Sequence, residues 1–387
     1  MKYSFAERVN LMQSSAIREI LKVTEQPEMI SFAGGLPAPE LFPLEEMREA
    51  FNHVLSSDAS VLQYSTTEGY LPLREYIQQR MQDKGISTTP GNILITNGSQ
   101  QALDLLAKLL INPGDVVLVE KPSYLGALQV FRSYQPQFMD IPTDDEGIQV
   151  AALEQAIKEH KPKFIYLTPT FKNPTGVTLS SERRRAVAKI VQENEVLLIE
   201  DDPYGELRFY GEPVPPIKSY DETGWVVYLS TFSKTIAPGL RLGWVVADEE
   251  LMKKLVLAKQ GTDLHTGTLV QRAAYYYLTN YNVSDHVQRI CLEYGRRRDV
   301  MLKEMAECFP SSVSCTKPQG GMFLWVTLPE HLDSVKLLTR AIEEKVAYVP
   351  GAPFYSKDAC FNTLRLNYSN STPDKIKSGI RRLAKIF

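Results

Sequence analysis

Short apolar runs alternate with amphipathic stretches through the middle of this chain. The runs are rich in β-branched residues and nearly continuous, which is typical of strands buried on both faces of a sheet. They are NILIT (92–96), DVVLVE (115–120), KFIYLTP (163–169), VLLIED (196–201), WVVYLST (225–231) and GWVVAD (243–248). Helical patterns lie between them at Gln100–Ile111, Val150–His160 and Ser180–Glu193. This alternation predicts an α/β fold in which crossover helices cover a mostly parallel, doubly wound sheet.

The pattern changes from about Ser284 onward. A long charged helical stretch runs to about Cys308 and precedes the strand-like segments VSCTK, GMFLWVTLP and NTLRLNYS. We expect these to form a smaller α+β domain. The N-terminal segment has a short amphipathic helix at Ala16–Thr24 and is expected to cross back to that domain. The predicted parts are an N-terminal arm and small-domain segment (1–45), a large domain (46–285) and a small C-terminal domain (286–387).

Composition excludes several classes of protein. The 387 residues are 43% hydrophobic and 23% charged with a net charge of −3, and no basic stripe suggests nucleic-acid binding. No apolar run reaches the roughly 18 residues of a membrane span, and the N-terminus lacks the apolar core of a signal peptide. Four cysteines without CxxC spacing and five histidines indicate reduced thiols and no metal site. We therefore expect a cytoplasmic protein.

Polar residues follow four of the predicted strands, where ligands of such sheets bind. Asn97-Gly98-Ser99-Gln100-Gln101 follows NILIT and opens a helix, whose free N–H groups can hold a phosphate. The ordinary interpretation is that Ser99 is a helix N-cap. The dinucleotide fingerprint GxGxxG and the P-loop GxxxxGK[ST] are both missing from the chain.

The other three strand ends add further chemical groups. Asn173 lies in NPTG, Asp201 is followed by Asp202-Pro203-Tyr204, and Lys234 in TFSK precedes Arg241. Taken one at a time, Asn173 is typical of a turn, Asp201 of a helix N-cap and Lys234 of a solvated surface lysine. Together they offer an amine, a carboxylate, an amide, a phenol, a phosphate cradle and a guanidinium. Pyridoxal 5′-phosphate (PLP) needs such a set.

The chain resembles the fold type I, class I/II aminotransferases, and within them the branch containing 2-aminoadipate and kynurenine aminotransferases. The matching segments run nearly from end to end: SAIREIL, SFAGGLPAPELFP, LQYSTTEGYLPLRE, NGSQQALDLLAKLL, KPSYLGALQVF, NPTG, EDDPYGEL, STFSKTIAPGLRLGW, AKQGTDLHT, PQGGMFLW and NTLRLNYS. The resemblance implies PLP as cofactor and ping-pong transfer of an amino group between an amino acid and a 2-oxo acid such as 2-oxoglutarate. It also implies a homodimer with shared active sites.

The resemblance assigns cofactor roles by motif. Lys234 would form the Schiff base and then move a proton between Cα and C4′. Asp201 would pair with the pyridinium N–H, and Tyr124 in KPSY would stack on the ring. Asn173 and Tyr204 would hydrogen-bond the 3′-oxygen. The residues that would hold the phosphate are Ser99, Gln100, Thr231, Ser233 and Arg241, joined by Tyr64 in LQYS from the neighbouring subunit.

Substrate roles follow in the same way. Arg365 in TLRLNY would clamp the α-carboxylate, a task suited to the guanidinium fork, and Asn173 would lie beside it. Gly35 in AGGLP would leave room for backbone contact with the same group. Arg18 would recognise the side-chain carboxylate of acidic substrates, although its helical spacing alone favours a solvated arginine. Lys172 departs from the family, which usually has Gln or His before NPTG.

Two alternatives remain open from the sequence. The first is another PLP reaction on the same fold, such as β-lyase chemistry, because cofactor-binding residues build the same electron sink for both. The second is a non-catalytic domain of the kind that follows a winged helix in one family of regulators. The resemblance here begins by about Ser14 and the chain is not basic, so the sequence favours the enzyme over the regulator.

Overall fold

The computed structural model describes residues 3–12 and 28–387. The helix predicted at Ala16–Thr24, and Arg18 with it, lie outside the described residues. The largest element is an eight-stranded sheet with the order β2-β9-β8-β7-β6-β3-β4-β5. Its strands are β2 (Ile93–Thr96), β3 (Val116–Lys121), β4 (Gln137–Asp144), β5 (Gly147–Ile148), β6 (Phe164–Leu167), β7 (Leu197–Asp201), β8 (Val226–Thr231) and β9 (Gly243–Val246).

Strand direction confirms the mostly parallel sheet. The neighbours β8, β7, β6, β3 and β4 pair in parallel, while β9 is antiparallel to both β8 and β2. The link from β8 to β9 contains no α-helix. A connection of that length allows an antiparallel return, whereas a parallel one needs a longer crossover. Because β9 lies between β8 and β2 and is antiparallel to both, β2 points in the same direction as β8.

Strand β4, next to the short edge strand β5, was missed by the hydrophobic pattern. Of its eight residues only Ile141 is buried, and the strand pairs with β3 on one side and with the short β5 on the other. One exposed face breaks up the continuous apolar run that marked the central strands. By contrast, every residue of β2, β6 and β8 is buried.

Helices cover both faces of this sheet. The predicted helix at Val150–His160 is confirmed at both ends, and the other two predicted helices lie within one residue of their expected bounds. Ser180 caps one of these by accepting a hydrogen bond from the Arg183 N–H. The helices are α1 (Leu44–Ser57), α2 (Leu71–Asp83), α3 (Ser99–Leu110), α4 (Leu125–Arg132), α5 (Val150–His160), α6 (Ser181–Glu193), α7 (Glu249–Asp263) and α8 (Thr268–Asn280).

The C-terminal part packs around a second, antiparallel sheet. The long helix α9 (Val283–Cys308) leads into strands with the order β10-β11-β14-β13. The N-terminal strand β1 (Ile30–Ser31) pairs in parallel with β12 (Val346–Ala347), far along the chain. The domain boundaries at 45/46 and 285/286 stay a prediction. The remaining elements are β10 (Ser314–Cys315), β11 (Phe323–Thr327), α10 (Ser334–Glu343), β13 (Val349–Pro350), β14 (Thr363–Asn367) and α11 (Pro373–Ala384).

The helices give no candidate for a membrane segment. Within residues 3–12 and 28–387, none combines the length and the apolar character needed to cross a bilayer.

Candidate active site

The strand ends that carry polar residues meet at one edge of the large sheet. Strands β2, β6, β7 and β8 all point the same way, so the residues that follow them lie at their common carboxyl ends. This edge is where doubly wound sheets bind ligands. The structure therefore brings together the segments that contain Ser99, Asn173, Asp201 and Lys234.

The phosphate cradle predicted from the sequence is a tight turn at the start of helix α3. Gly98, rather than Ser99, is the N-cap residue, and its φ is 75°. The guanidinium of Arg241 occupies the space that a side chain at position 98 would need. A Cβ at Gly98 would lie 2.6 Å from Arg241 Nη2, and one at Gly243 would lie 2.8 Å from Ser99 N. Arg241 Nη2 also donates to the Asn97 carbonyl at 3.2 Å. A helix N-terminus beside a guanidinium suits a bound phosphate.

Hydroxyl groups surround the same turn. The Thr231 hydroxyl donates to the Leu242 carbonyl at 2.7 Å and lies 2.8 Å from Ser233 Oγ. Ser99 Oγ lies 3.5 Å from the carbonyl of Ser230, at the end of β8. Gln100 is exposed, and its amide donates to the Gly126 carbonyl at 3.2 Å. These polar groups line the turn that Arg241 closes.

The Lys234 side chain reaches the N-terminal segment of the protein. Its Nζ donates to the carbonyl of Gly35 at 3.1 Å. Burial, followed by the positive charges of Arg365 and Arg241, lowers the pKa of Lys234 to about 8. An amine with that pKa has a substantial neutral fraction near neutral pH, as a nucleophile or base requires.

Asp201 ends β7 as a buried carboxylate with one free oxygen. Its Oδ2 accepts a hydrogen bond from the Tyr166 hydroxyl at 2.8 Å, whereas Oδ1 is buried and has no partner among the described residues. Burial raises the pKa of Asp201 to about 7, against the opposing hydrogen bond from Tyr166. A buried oxygen of this kind needs a donor. The protonated ring nitrogen of PLP is a cationic donor that fits it.

The next residue, Asp202, uses its carboxylate differently. Successive strand residues face opposite sides of a sheet, and Asp202 Oδ2 accepts from the Tyr228 hydroxyl at 2.7 Å. Lys84 Nζ lies 3.6 Å from the same oxygen. The two adjacent carboxylates therefore have separate sets of partners.

Two tyrosines, Tyr124 and Tyr204, lie near the Asp201 carboxylate. Burial, followed by the nearby charge of Asp201, raises the pKa of Tyr124 to about 12. The Tyr124 ring folds over the start of α4, where a Cβ at Gly126 would lie 2.5 Å from its Cζ. Tyr204 is buried edge-on to Phe323, with ring centroids 5.9 Å apart. Burial raises the pKa of Tyr204, and its hydrogen bond with Asn173 opposes that shift.

Arg365 forms a cationic clamp in the interior. The side chain is 1% exposed, and its Nη1 and Nη2 donate to Asn173 Oδ1 at 2.7 Å and to the Ala33 carbonyl at 2.6 Å. Its guanidinium lies 4.2 Å from the Phe323 ring centroid. Burial lowers the pKa of Arg365 to about 10. No Asp or Glu in the described ranges pairs with it, so a substrate carboxylate would supply the missing anion.

The remaining predicted residues have different positions. Gly35 contributes its carbonyl to Lys234, and a Cβ there would lie 3.2 Å from the Phe323 ring. Tyr64 is not part of this chain's own site: it is 78% exposed, and its ring lies edge-on to His265 at 5.9 Å. Arg18 is outside the described residues.

The sequence analysis missed groups that support the site from behind. Tyr166 hydrogen-bonds Asp201, and its hydroxyl inside a fully buried strand was the available signal. Asp263 accepts hydrogen bonds from the side chains of Asn97, Gln101 and Lys259, and so anchors the phosphate turn. Lys259 is fully buried, four residues before Asp263 on α7. Their spacing of four residues was the available signal for this pair.

An amine of lowered pKa, a buried carboxylate, a phosphate cradle and an arginine clamp, at the strand ends of this sheet, define a PLP-dependent enzyme of fold type I. The chain belongs to the family of class I and II aminotransferases, whose family model matches residues 27–383. It is therefore a PLP-dependent aminotransferase that acts on small molecules.

Relatives agree along almost the whole chain. It is 46% identical to the aromatic-amino-acid aminotransferase 1 of Thermococcus litoralis, over 98% of this chain and 93% of that protein. The structure of Pyrococcus horikoshii kynurenine aminotransferase, in complex with PMP, superposes with a TM-score of 0.95 at 46% identity, covering 99% and 96% of the two chains. The α-aminoadipate aminotransferase of Thermus thermophilus, complexed with N-(5′-phosphopyridoxyl)-L-leucine, gives 0.93 at 41% identity, covering 99% and 96%.

The raised pKa of Asp201 predicts a pH effect on the cofactor-free protein. Its folded-state pKa of about 7 exceeds the ordinary 3.8. The contribution of Asp201 to the free energy of unfolding is therefore fully present below about pH 4 and is lost as the pH rises through 7. Asp201→Asn should remove this loss. We expect the free energy of unfolding of the variant, relative to wild type, to rise by about 1–3 kcal/mol between pH 5 and 8.

Urea unfolding of the two cofactor-free proteins across that range measures the difference. The exposed Asp145 supplies the control, because Asp145→Asn should give a difference that is flat with pH. A flat difference for Asp201→Asn would contradict the raised pKa.

Proposed function

We propose that this aminotransferase accepts both acidic and apolar amino acids, moving their amino group to a 2-oxo acid such as 2-oxoglutarate by a ping-pong mechanism. The acidic donors would be glutamate and 2-aminoadipate, and the apolar donors aromatic or aliphatic. The observation that carries the proposal is the buried pair of Arg365 and Asn173, which has no carboxylate partner within residues 3–12 and 28–387 and lies near Lys234. The names of the relatives, which include aromatic, kynurenine and α-aminoadipate aminotransferases, support a broad range of donors.

The residues divide the reaction between them. When bound, PLP supplies a carbon that takes up the amino group and a ring that accepts the electron pair released at Cα. Arg365 binds the α-carboxylate of the substrate and orients it. Lys234 Nζ, whose pKa is lowered to about 8, takes the proton from Cα and returns one to C4′. Asp201 Oδ1, a buried oxygen without a partner among the described residues, would accept the N–H of the bound ring and keep that nitrogen protonated.

A screen of half-reactions tests the proposal. Single amino acids are mixed with the cofactor-loaded enzyme, and the absorbance of the bound cofactor is followed by stopped flow. A donor should bleach the band, and 2-oxoglutarate should restore it. A β-lyase would instead release ammonia and a 2-oxo acid while the band recovered without an added acceptor. That second result would show that the enzyme catalyses β-lyase chemistry and not transamination.

Arg18 is the proposed recognition residue for acidic side chains. Its guanidinium would pair with the side-chain carboxylate of glutamate or 2-aminoadipate, and aromatic donors offer no such partner. We expect Arg18→Ala to lower kcat/KM about ten- to a hundredfold for the acidic donors, the range of a hydrogen bond to a charged group. Phenylalanine or leucine should change little. An equal loss for acidic and apolar donors would show that Arg18 serves the fold alone.

A homodimer with shared sites is the proposed assembly. What supports it is the exposure of Tyr64, at 78%, and of the neighbouring Leu62, at 72%. Homodimers of the Tyr64→Ala variant and homodimers of the Lys234→Ala variant should each have little or no transaminase activity. Their purified heterodimer should regain one wild-type site of the two, because the intact Tyr64 and the intact Lys234 meet across the interface.

A heterodimer with no recovered site, or an active monomer by analytical ultracentrifugation, would rule out sharing through Tyr64. A cytoplasmic location stays a prediction from the sequence.

A further inference from the structure

A buried ion pair includes Lys172, the residue just before Asn173 in the chain. Lys172 is 2% exposed and Glu120 is 4% exposed, and Lys172 Nζ lies 3.2 Å from Glu120 Oε1. Glu120 belongs to β3, whereas Lys172 follows β6 and immediately precedes Asn173. Two charges withdrawn from water in this way need each other, since either one alone would be strongly disfavoured.

The same carboxylate also holds the beginning of the Asn173 segment. Glu120 Oε2 accepts a hydrogen bond from the backbone N–H of Thr168 at 2.8 Å. Glu120 therefore fixes the segment at two points, the backbone of residue 168 and the side chain of residue 172. Burial raises the pKa of Glu120, and the charge of Lys172 is the largest influence that opposes this shift.

The backbone between these two points is under strain. Phe171 has φ of 47°, in the left-handed region that a bulky residue rarely adopts. Its ring is fully buried, and the guanidinium of Arg208 lies 4.8 Å from the ring centroid. Beyond it, Lys172 N donates to the Val177 carbonyl at 2.9 Å. A conformation of this kind persists only where surrounding contacts determine it, and the Lys172 ion pair is one of them.

The segment ends at the substrate clamp. Asn173 Oδ1 accepts from Arg365 Nη1 at 2.7 Å, so the position of the amide determines one of the two hydrogen bonds that orient the guanidinium. The other bond, to the Ala33 carbonyl, lies on a different segment. A shift of Asn173 would let the plane of the guanidinium rotate about that second bond.

We propose that Glu120 and Lys172 are positioning residues for substrate binding: their ion pair fixes the turn that carries Asn173 and, through Asn173, the orientation of Arg365. The proposal rests on the proposed function only in taking Arg365 as the carboxylate clamp. It assigns a role to Lys172, the residue at which this chain departs from the family. Because the pair touches neither Lys234 nor Asp201, its loss should weaken binding more than it slows proton transfer.

Four variants separate position from charge. Lys172→Met leaves the Glu120 carboxylate buried and unpaired, and Glu120→Gln leaves the ammonium unpaired. Lys172→Gln keeps a hydrogen-bond donor without charge. The double variant Glu120→Gln, Lys172→Gln replaces the ion pair with a neutral hydrogen bond of similar shape, the kind of exchange that buried pairs tolerate.

Isothermal titration of the cofactor-loaded enzyme with glutarate, a dicarboxylate without an amino group, measures the clamp directly. Lys172→Met and Glu120→Gln should each raise the Kd for glutarate by about tenfold or more, as expected when one member of a buried charge pair is removed. The same variants should raise KM for glutamate similarly and change kcat by no more than about threefold. The double variant should return the Kd to within about threefold of wild type.

Lys158→Met is the matched control, because Lys158 pairs with Glu154 on the exposed face of α5. It should leave the Kd unchanged. Should Lys172→Met fail to fold, Lys172→Gln takes its place, with a rise in Kd of about threefold or more.

Two results would overturn the proposal. A lowered unfolding midpoint with an unchanged Kd would mean that the pair stabilises the fold alone. A double variant as weak as Lys172→Met would mean that the charge of Lys172 attracts the substrate, without positioning. Failure of the wild type to bind glutarate would instead count against acidic substrates, and the comparison would then be made with 3-phenylpropanoate, whose carboxylate meets the same clamp.

Discussion

Lys234→Ala should abolish transamination, with a loss in the half-reaction of at least about 10⁴-fold. Its Nζ donates to the Gly35 carbonyl in the cleft, and burial and two arginines lower its pKa to about 8. Lys172, the other lysine among the residues directly after β2, β6, β7 and β8, is already paired with Glu120. The variant therefore loses both the covalent link to the cofactor and the base that moves the proton.

Borohydride reduction followed by mass spectrometry tests the covalent link independently of activity. Wild type should gain the mass of the reduced cofactor on the peptide that contains Lys234, and the variant should not. The exposed Lys254 provides the control, because Lys254→Ala should label and react as wild type does. Wild-type rates in Lys234→Ala would contradict the site assignment.

Asp201→Asn should retain PLP but slow removal of the Cα proton by about 10²- to 10⁴-fold. The free Oδ1 of Asp201 is the buried acceptor that would hold the proton on the ring nitrogen. An amide stabilises that positive charge far less than a carboxylate does, so the ring would accept electrons poorly. Single-turnover rates with α-deuterated and ordinary glutamate would show the slowed step as an undiminished or larger isotope effect.

Asp202→Asn is the natural comparison, since the two carboxylates are adjacent and both buried. Both carboxylates have one oxygen without a hydrogen-bond partner among the described residues. Asp202, however, lies 3.6 Å from Lys84 Nζ and so already has a cation nearby. Its variant should therefore lose at least tenfold less activity than Asp201→Asn. Equal losses for the two variants would mean that general damage at the end of β7, and not the ring nitrogen, explains the effect.

Much of the large sheet could be predicted because its strands are buried on both faces. Six apolar runs gave six strands, and the polar residues after four of them gave the main groups of the site. The strand at Gln137–Asp144 could not be found in this way, because only one of its eight residues is buried. The antiparallel direction of Gly243–Val246 depends on the short link before it. An apolar run predicts a buried strand but not the direction of that strand.

Partners across the fold were beyond the reach of the sequence. Tyr166 meets Asp201 because β6 and β7 pair in a particular register, with Tyr166 opposite Ile199. Lys172 stood out as a departure from the family, but its partner Glu120 lies on another strand. From the sequence Ser99 was the ordinary choice of N-cap, whereas Gly98 takes that position in the structure, where Arg241 leaves no room for a side chain. These contacts arise from tertiary packing and not from local propensity.

The pairing of β1 with β12 has a consequence for biosynthesis. It holds the carbonyls of Ala33 and Gly35, made among the first residues, against Arg365, made near the last, and Lys234, made between them. A nascent chain can complete the large sheet and the phosphate turn while still attached to the ribosome. The carboxylate clamp must wait for the final strand to emerge. A chain released prematurely before residue 365 would therefore keep the phosphate turn and lack the means to hold an amino acid.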